Sequence, residues 1–102
     1  PITISAGAPV IENSRFLQSI YSAMEIDGVA KPVIKGSEIR GAMNGVVVTG
    51  KAQPRFEGNT FADNKVMHLQ NGSTYAINAK GNTWKNPKAS KRSILGDVDF
   101  GK

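Results

Sequence analysis

Cysteine is absent from this sequence of 102 residues, which excludes a disulfide framework and any thiolate metal site. Long apolar runs are absent too, and none approaches the ~18 residues of a membrane-spanning helix, so no membrane span is expected. Aromatic residues make up only 7% of the chain, and no segment carries an apolar stripe with helical spacing. The stability of so small a chain must therefore come from the packing and backbone pairing of strands.

Acidic residues are also scarce, since 8 Asp and Glu stand against 13 Lys and Arg, which gives a net charge of +5. The excess is concentrated near the C-terminus, at Lys80, Lys85, Lys88, Lys91 and Arg92. Such a cluster favours anionic partners, such as an acidic polysaccharide or another polyanion. A solvated tail without a ligand is the plainer alternative.

What the sequence does contain is a repeat. Four segments superimpose, and the first three begin with proline: Pro9 to Phe16, Pro32 to Ile39, Pro54 to Phe61 and Ile77 to Trp84. Between them lie apolar pairs at alternate positions: Ile2 with Ile4, Met24 with Ile26, Val46 with Val48 and Met67 with Leu69. Alternation of this kind predicts short strands with one buried face.

Short strands that recur about every 22 residues predict an all-β solenoid, in which like residues of successive coils stack in parallel sheets. We expect about four coils of 22 to 23 residues over residues 1–84, and a basic C-terminal tail with a capping strand over residues 85–102. One sheet should collect residues 2–5, 23–27, 45–49 and 66–70. A second sheet should collect residues 9–12, 32–35, 54–57 and 77–80.

Two columns of polar residues follow from this stacking. Glu12, Lys35, Glu57 and Lys80 alternate in sign along one column, and opposite charges on neighbouring strands favour the correct order of the coils. Arg15 beside Glu38 repeats the pattern. Ser14, Ser37, Asn59 and Asn82 follow the next corner of each coil, where their side chains are expected to form hydrogen bonds along the stack.

The stretch Gly58-Asn59-Thr60-Phe61-Ala62-Asp63-Asn64 resembles the carbohydrate-binding and sugar-hydrolase type repeat of the pectate-lyase-like superfamily. Gly81 to Trp84 looks like its last copy, and Ile94 to Phe100 resembles a terminal strand of many members. The resemblance implies a right-handed parallel β-helix. Members include polysaccharide lyases, epimerases, hydrolases and adhesins, so the resemblance leaves the function open.

Enzymes of this superfamily use carboxylate clusters on an outer sheet, and here only Glu25 and Asp27 share a strand face closely. A glycosidase needs two carboxyl groups about 5 to 9.5 Å apart. Glu25 and Asp27 could meet this distance. The columns beside them are expected to hold Val47 with His68 and Thr49 with Gln70, without a third carboxylate, Arg or Lys. We therefore expect no catalytic residues and no enzyme activity, and retain Glu25 and Asp27 only as candidate binding residues.

His68 is the only histidine, and the strand alternation predicts that it points outward beside an inward Met67. Without a second histidine or a cysteine to complete a site, no metal and no cofactor are expected. The other candidate binding residues lie on outward or basic positions: His68, Lys85, Lys88, Lys91 and Arg92.

Two functions are compatible with these observations. The first is a non-catalytic structural or binding β-helix module, extracellular or periplasmic, that stacks end to end or binds an anionic polymer. Stacking is expected because the edge strands of the first coil would otherwise expose unpaired backbone groups, so a second copy, head to tail, or additional coils should cover this end. The alternative is a C-terminal fragment of a polysaccharide lyase, epimerase or hydrolase whose catalytic coils lie upstream.

Overall fold

The computed structural model describes residues 2–101, which form short strands and no helix. The strands are β1 (Ile2–Ile4), β2 (Val10–Glu12), β3 (Arg15–Leu17), β4 (Ser22–Ile26), β5 (Val33–Lys35), β6 (Glu38–Arg40), β7 (Asn44–Val48), β8 (Arg55–Glu57), β9 (Thr60–Ala62), β10 (Met67–Asn71), β11 (Ile77–Asn78), β12 (Thr83–Lys85), β13 (Ile94–Leu95) and β14 (Val98–Asp99). No helix in the described part of the chain could therefore cross a membrane.

Successive coils stack in register, and every strand pairing is parallel. The first sheet has the order β1-β4-β7-β10-β13, the second β2-β5-β8 and the third β3-β6-β9-β12, while β11 pairs with β14. Each of the first three coils, of about 22 residues, thus contributes one strand to each of the three sheets. The fourth coil contributes β10 and β12, whereas its β11 pairs with β14, so the prediction that residues 77–80 join the second sheet is wrong. The predicted all-β parallel solenoid of about four coils is confirmed.

The predicted register of the first sheet is confirmed for three strands and wrong for the fourth. Ile2, Met24 and Val46 form one column as expected. In β10, however, Leu69 rather than Met67 lies beside Val46. The corner before β10 spans residues 63–66, one residue longer than the corner at 41–43 before β7, and β10 is displaced by two residues from the predicted alignment.

His68 is completely buried, so the prediction of an outward histidine is wrong. In β7 and β10 two consecutive residues are buried, Gly45 with Val46 and His68 with Leu69. A Cβ atom on Gly45 would lie 2.4 Å from the His68 carbonyl oxygen and 3.2 Å from Asn64 Nδ2. The lack of a side chain at Gly45 therefore allows β10, which carries His68, to pack closely against β7.

The core is a continuous column of apolar side chains between the three sheets. Phe16, Ile39, Phe61 and Trp84 stack in the third sheet as predicted, and the rings of Phe61 and Trp84 are parallel with centroids 4.4 Å apart. Phe61 is completely buried, and removing a side chain of this size from water contributes about 2 to 3 kcal/mol.

Polar side chains at the corner between the second and third sheets form the expected chain of hydrogen bonds. The Ser14 N–H donates to Ser37 Oγ, the Ser37 N–H to Asn59 Oδ1, and the Asn59 N–H to Asn82 Oδ1. Asn59 Nδ2 also donates to the Ile34 carbonyl. The corner groups of three successive coils are therefore paired with the following coil, as buried backbone groups require.

The charged columns are confirmed in part. Lys35 Nζ lies 3.7 Å from Glu12 Oε2, and Lys35 is in register with Glu57. Lys80, however, pairs with Asp99 at 3.4 Å instead of with Glu57. In the third sheet Arg15 hydrogen-bonds to Glu38 at 3.0 Å, and this bond, with a contribution from Arg40, holds the pKa of Glu38 below its ordinary value.

The end of the chain extends the stack beyond the fourth coil. β13 adds a strand to the first sheet and β14 pairs with β11. The third sheet gains no such strand from residues 2–101, because it ends at β12. At the C-terminal end of the solenoid the first sheet consequently extends one strand further than the third sheet.

Candidate functional site

The four candidate cations near the C-terminus lie on or beside one corner of the fourth coil. Lys85 ends β12, and residues 86–93, which we call the basic loop, connect β12 to β13. The equivalent corners of the earlier coils are shorter, at residues 18–21, 41–43 and 63–66. Lys85, Lys88, Lys91 and Arg92 are all exposed.

Short-range hydrogen bonds fix the backbone of the basic loop. Ser93 Oγ donates to the Lys88 carbonyl and accepts from the Ser90 N–H. The Arg92 N–H donates to Ser90 Oγ, and the Ser93 carbonyl accepts from the His68 N–H at 2.7 Å. Because the backbone is held in this way, the positions from which the cations project are set before any ligand arrives.

The side chain of the buried His68 contacts the basic loop from the interior of the protein. Its Nε2 atom lies 2.6 Å from the Pro87 carbonyl oxygen and its Nδ1 atom 2.9 Å from Asn64 Nδ2. Asn64 Nδ2 can only donate, so Nδ1 accepts and Nε2–H donates to Pro87. His68 is therefore a structural support of the basic loop, and its side chain is not available to a ligand.

The charges of the loop and of Lys85 are not neutralised by carboxylates among the described residues 2–101. None of Lys85, Lys88, Lys91 and Arg92 forms an ion pair with a carboxylate of residues 2–101. Asp63, whose N–H donates to the Lys85 carbonyl, is paired through its carboxylate with Arg40 at 3.0 Å. The basic loop and the adjacent Lys85 consequently present to solvent four positive charges without an ion pair among residues 2–101.

A groove of about 710 Å³ lies along the corners of the earlier coils that are equivalent to the basic loop. Its lining residues come from the corners of the first three coils: Gln18, Ser19, Ile20, Gly41, Met43, Asp63 and Lys65. This groove was not predicted from the sequence. Its signal was the recurrence of exposed apolar residues every 23 positions, at Ile20, Met43 and Val66, which the strand pattern left unassigned because they lie between strands.

Glu25 and Asp27 lie on the first sheet, away from the residues of the basic loop and of the groove. Glu25 is exposed between Thr3 and Val47, and the next residue in its column is Gln70 rather than His68. Asp27 follows β4, and the corresponding residue after β10 is Gly72 rather than Gln70. Val47 and Thr49 therefore lie in these columns as predicted, whereas the residues predicted from β10, His68 and Gln70, are replaced by Gln70 and Gly72.

The described part of the chain contains no group of three or more His, Cys, Asp or Glu side chains that could hold a metal ion. Exposed aromatic rings are limited to Tyr21 and Tyr75, as expected from the repeat. The chemistry that this surface offers is therefore the electrostatic binding of an anion by the basic loop, next to a groove with polar and apolar walls.

Comparison with known proteins agrees with this architecture. The sequence matches the family described as the right handed beta helix region over residues 2–94. No curated protein and no solved structure matches it. Since the match covers nearly the whole chain, the protein belongs to the right-handed β-helix family.

Proposed function

We propose that this chain is a non-catalytic binding module whose basic loop binds an acidic polysaccharide outside the cytoplasm. The observation that carries the proposal is the set of four exposed cations without carboxylate partners among residues 2–101, mounted on a hydrogen-bonded backbone. Clustered positive charge raises the local concentration of an anionic polymer and releases its counterions on binding.

An acidic polysaccharide is favoured over a nucleic acid by the composition of the surface. Sequence-tolerant binding of single-stranded nucleic acid relies on aromatic rings that stack with bases, and only Tyr21 and Tyr75 are exposed in the described chain. The resemblance to carbohydrate-binding repeats of the pectate-lyase-like superfamily points the same way. The groove beside the loop would give a sugar chain further polar partners at Gln18, Asp63 and Lys65.

The test compares two triple variants of equal net charge. Lys88→Ala/Lys91→Ala/Arg92→Ala removes charge from the basic loop. Lys31→Ala/Lys51→Ala/Arg55→Ala removes the same charge from other positions, namely from the corners between the first and second sheets in two coils and from β8. Binding of polygalacturonate, measured by isothermal titration calorimetry at low salt, should weaken at least about tenfold in the loop variant and little in the control.

The salt dependence separates charge-driven binding from a saccharide groove. Binding through the loop should weaken steeply as salt increases and differ little between polygalacturonate and alginate. Binding that persists at high salt and discriminates between these polymers would assign recognition to the groove instead. Equal losses in both triple variants, or no binding at low salt, would refute the proposal.

The alternative function, a C-terminal fragment of a polysaccharide lyase, epimerase or hydrolase with catalytic coils upstream, would place Glu25 and Asp27 at the margin of a substrate groove. The column of Glu25 continues with Val47 and Gln70, side chains that supply neither an acid nor a cation. On the side of any upstream coils the neighbour of Glu25 is Thr3, which is also neither an acid nor a cation, and this favours the binding module over the enzyme fragment.

A further inference from the structure

The groove next to the basic loop combines apolar side chains with a positive charge, and this combination restricts the chemistry of its ligand. We infer that the groove binds an O-acetyl group of an acidic polysaccharide, so that the protein selects polymers that carry acetyl esters as well as carboxylates. The inference rests on the proposed function, because it assumes that the basic loop attracts the polymer. It adds the substituent that the groove recognises.

The shape of the groove follows from the corner of the second coil. This corner has three residues, 41–43, whereas the equivalent corners of the coils on either side have four. Gln18, Gly41 and Asp63 occupy equivalent positions, since the N–H of each donates to the corresponding residue of the next coil. Because Gly41 has no side chain and its corner is short, the space between Gln18 and Asp63 stays open to solvent.

The apolar part of the groove is formed by Met43 and Ile20. Met43 is 40% exposed, although described coils lie on both sides of its corner. Its carbonyl accepts from the N–H groups of Val66 and Met67, so the backbone is held while the side chain remains accessible. A thioether side chain adapts its shape to a small apolar group, and a methyl group that packs against it is removed from water.

The charged part of the groove is positive. Lys65 is exposed and forms no ion pair within residues 2–101, whereas the carboxylate of Asp63 is paired with Arg40 at 3.0 Å. The Asp63 N–H donates to the Lys85 carbonyl, so the groove adjoins the coil that carries the basic loop. A polymer that lies along this corner therefore meets one cation in the groove and further cations beyond it.

A ligand that fits both parts must carry a methyl group and keep its carboxylates. An unsubstituted uronic-acid polymer offers carboxylates to Lys65 but no methyl group to Met43. A methyl ester of the carboxylate supplies a methyl group but removes the charge that the basic loop attracts. An acetyl ester on a ring hydroxyl supplies the methyl group and keeps the charge. Its carbonyl oxygen can also accept a hydrogen bond from the Gln18 amide or the Ser19 hydroxyl, which line the groove.

The polar lining of the groove favours a sugar chain over a membrane surface. Insertion among acyl chains would remove Gln18, Asp63 and Lys65 from water without new hydrogen-bond partners, which costs free energy. The hydroxyl and ester groups of a sugar chain can replace the lost water. The mixed composition of the groove thus suits an acetylated polysaccharide better than a lipid bilayer.

The experiment compares polygalacturonate with the same polymer after chemical O-acetylation, by isothermal titration calorimetry with the 102-residue chain. The two polymers carry the same carboxylates and differ only in their acetyl groups. We expect the acetylated polymer to bind about fourfold more tightly, the effect of burying one methyl group. Both affinities should fall as salt increases, but their ratio should persist, because screening acts on charges and not on the apolar contact.

The variants test whether the ratio depends on the groove. Ile20→Thr/Met43→Gln removes the apolar character of the groove at similar side-chain size and should bring the ratio close to one. Met43→Leu keeps an apolar side chain and should retain the ratio. Val29→Thr is the matched control, because Val29 is exposed at a different corner, between the first and second sheets, and it should leave the ratio unchanged.

The triple variant of the basic loop separates this inference from the proposed function, since it should weaken the binding of both polymers and leave their ratio unchanged. Equal binding of the two polymers by the wild type would overturn the inference and leave the proposed function standing. Binding of neither polymer would refute both. A ratio that Val29→Thr also abolishes would overturn the inference. So would binding to phosphatidylglycerol vesicles that Ile20→Thr/Met43→Gln weakens, because the apolar side chains would then serve a membrane surface.

Discussion

The Nε2 atom of His68 lies 2.6 Å from the Pro87 carbonyl oxygen, so one buried imidazole joins the first sheet to the basic loop. The other ring nitrogen accepts from Asn64, whose amide also donates to the Ile39 carbonyl and accepts from the Ala42 N–H. Protonation of His68 would set an Nδ1–H against an amide N–H, and Asn64 could relieve this only by giving up its own hydrogen bonds.

The first prediction is that stability decreases in mildly acidic solution. Burial lowers the pKa of His68 below its ordinary value of 6.5, and the Pro87 carbonyl and the Asp63 carboxylate only partly oppose this shift. The unfolded state therefore binds the proton more readily, and the stability that is present above about pH 6.5 is lost as the pH falls below it. Urea midpoints measured from pH 8 to pH 5 should show this decrease.

The matching variant is His68→Gln, which removes the titrating group. It should lower the urea midpoint at every pH but lose the decrease between pH 7 and pH 5. Glu38 does not interfere in this range, because its pKa lies below the ordinary value of 4.5. The same slope in the wild type and the variant would contradict the assignment to His68.

The second prediction concerns the Asn ladder. Asn59 is 1% exposed, accepts from the Ser37 N–H and donates to the Ile34 carbonyl. Asn59→Ala leaves the buried Ser37 N–H without its acceptor and removes the additional bond to the Ile34 carbonyl, and we expect a loss of about 2 kcal/mol in the free energy of unfolding. Asn78→Ala is the control, because Asn78 is exposed and its side chain accepts only from the nearby Lys80 N–H. Similar losses in both variants would mean that the ladder has no special role.

Much of the fold could be predicted because a solenoid repeats its own register. Phe16, Ile39 and Phe61 recur at the same place in each period, and parallel stacking turns that recurrence directly into contact. The Ser and Asn residues at the neighbouring corner were predictable for the same reason. In these columns the spacing of like residues along the sequence directly predicts which residues of successive coils are in contact.

The position of His68 could not be predicted from alternation. Period-two reasoning assumes that successive residues point to opposite faces, whereas Gly45 with Val46 and His68 with Leu69 are consecutive buried pairs. The groove was missed for a related reason, since its apolar residues recur in the corners between strands, to which strand alternation does not apply. The basic loop could be identified by its charge, but that His68 supports it depends on a contact across 19 residues which no spacing indicates.

The third prediction concerns catalysis. The isolated chain should neither cleave nor epimerise pectin, alginate or other uronic-acid polymers, with or without Ca²⁺, because Glu25 has Val47 and Gln70 rather than further charges in its column. Product formation can be followed by ultraviolet absorbance for elimination and by NMR for hydrolysis and epimerisation. Turnover that Glu25→Gln or Asp27→Asn abolishes would show that the chain is an enzyme.

The last prediction tests the alternating charges of the second sheet. Lys35→Glu places three carboxylates in one column with Glu12 and Glu57, and it replaces the contact of 3.7 Å to Glu12 by repulsion. We expect a loss of about 1 kcal/mol, because Arg55 already pairs with Glu57 at 2.9 Å and limits the repulsion from that side. Glu12→Lys/Glu57→Lys in the same chain should recover part of the loss, and high salt should reduce it. Lys31→Glu, an exposed change outside any ion pair of residues 2–101, is the control. Equal urea midpoints for Lys35→Glu, the rescued chain and the control would show that the column does not contribute to the order of the coils.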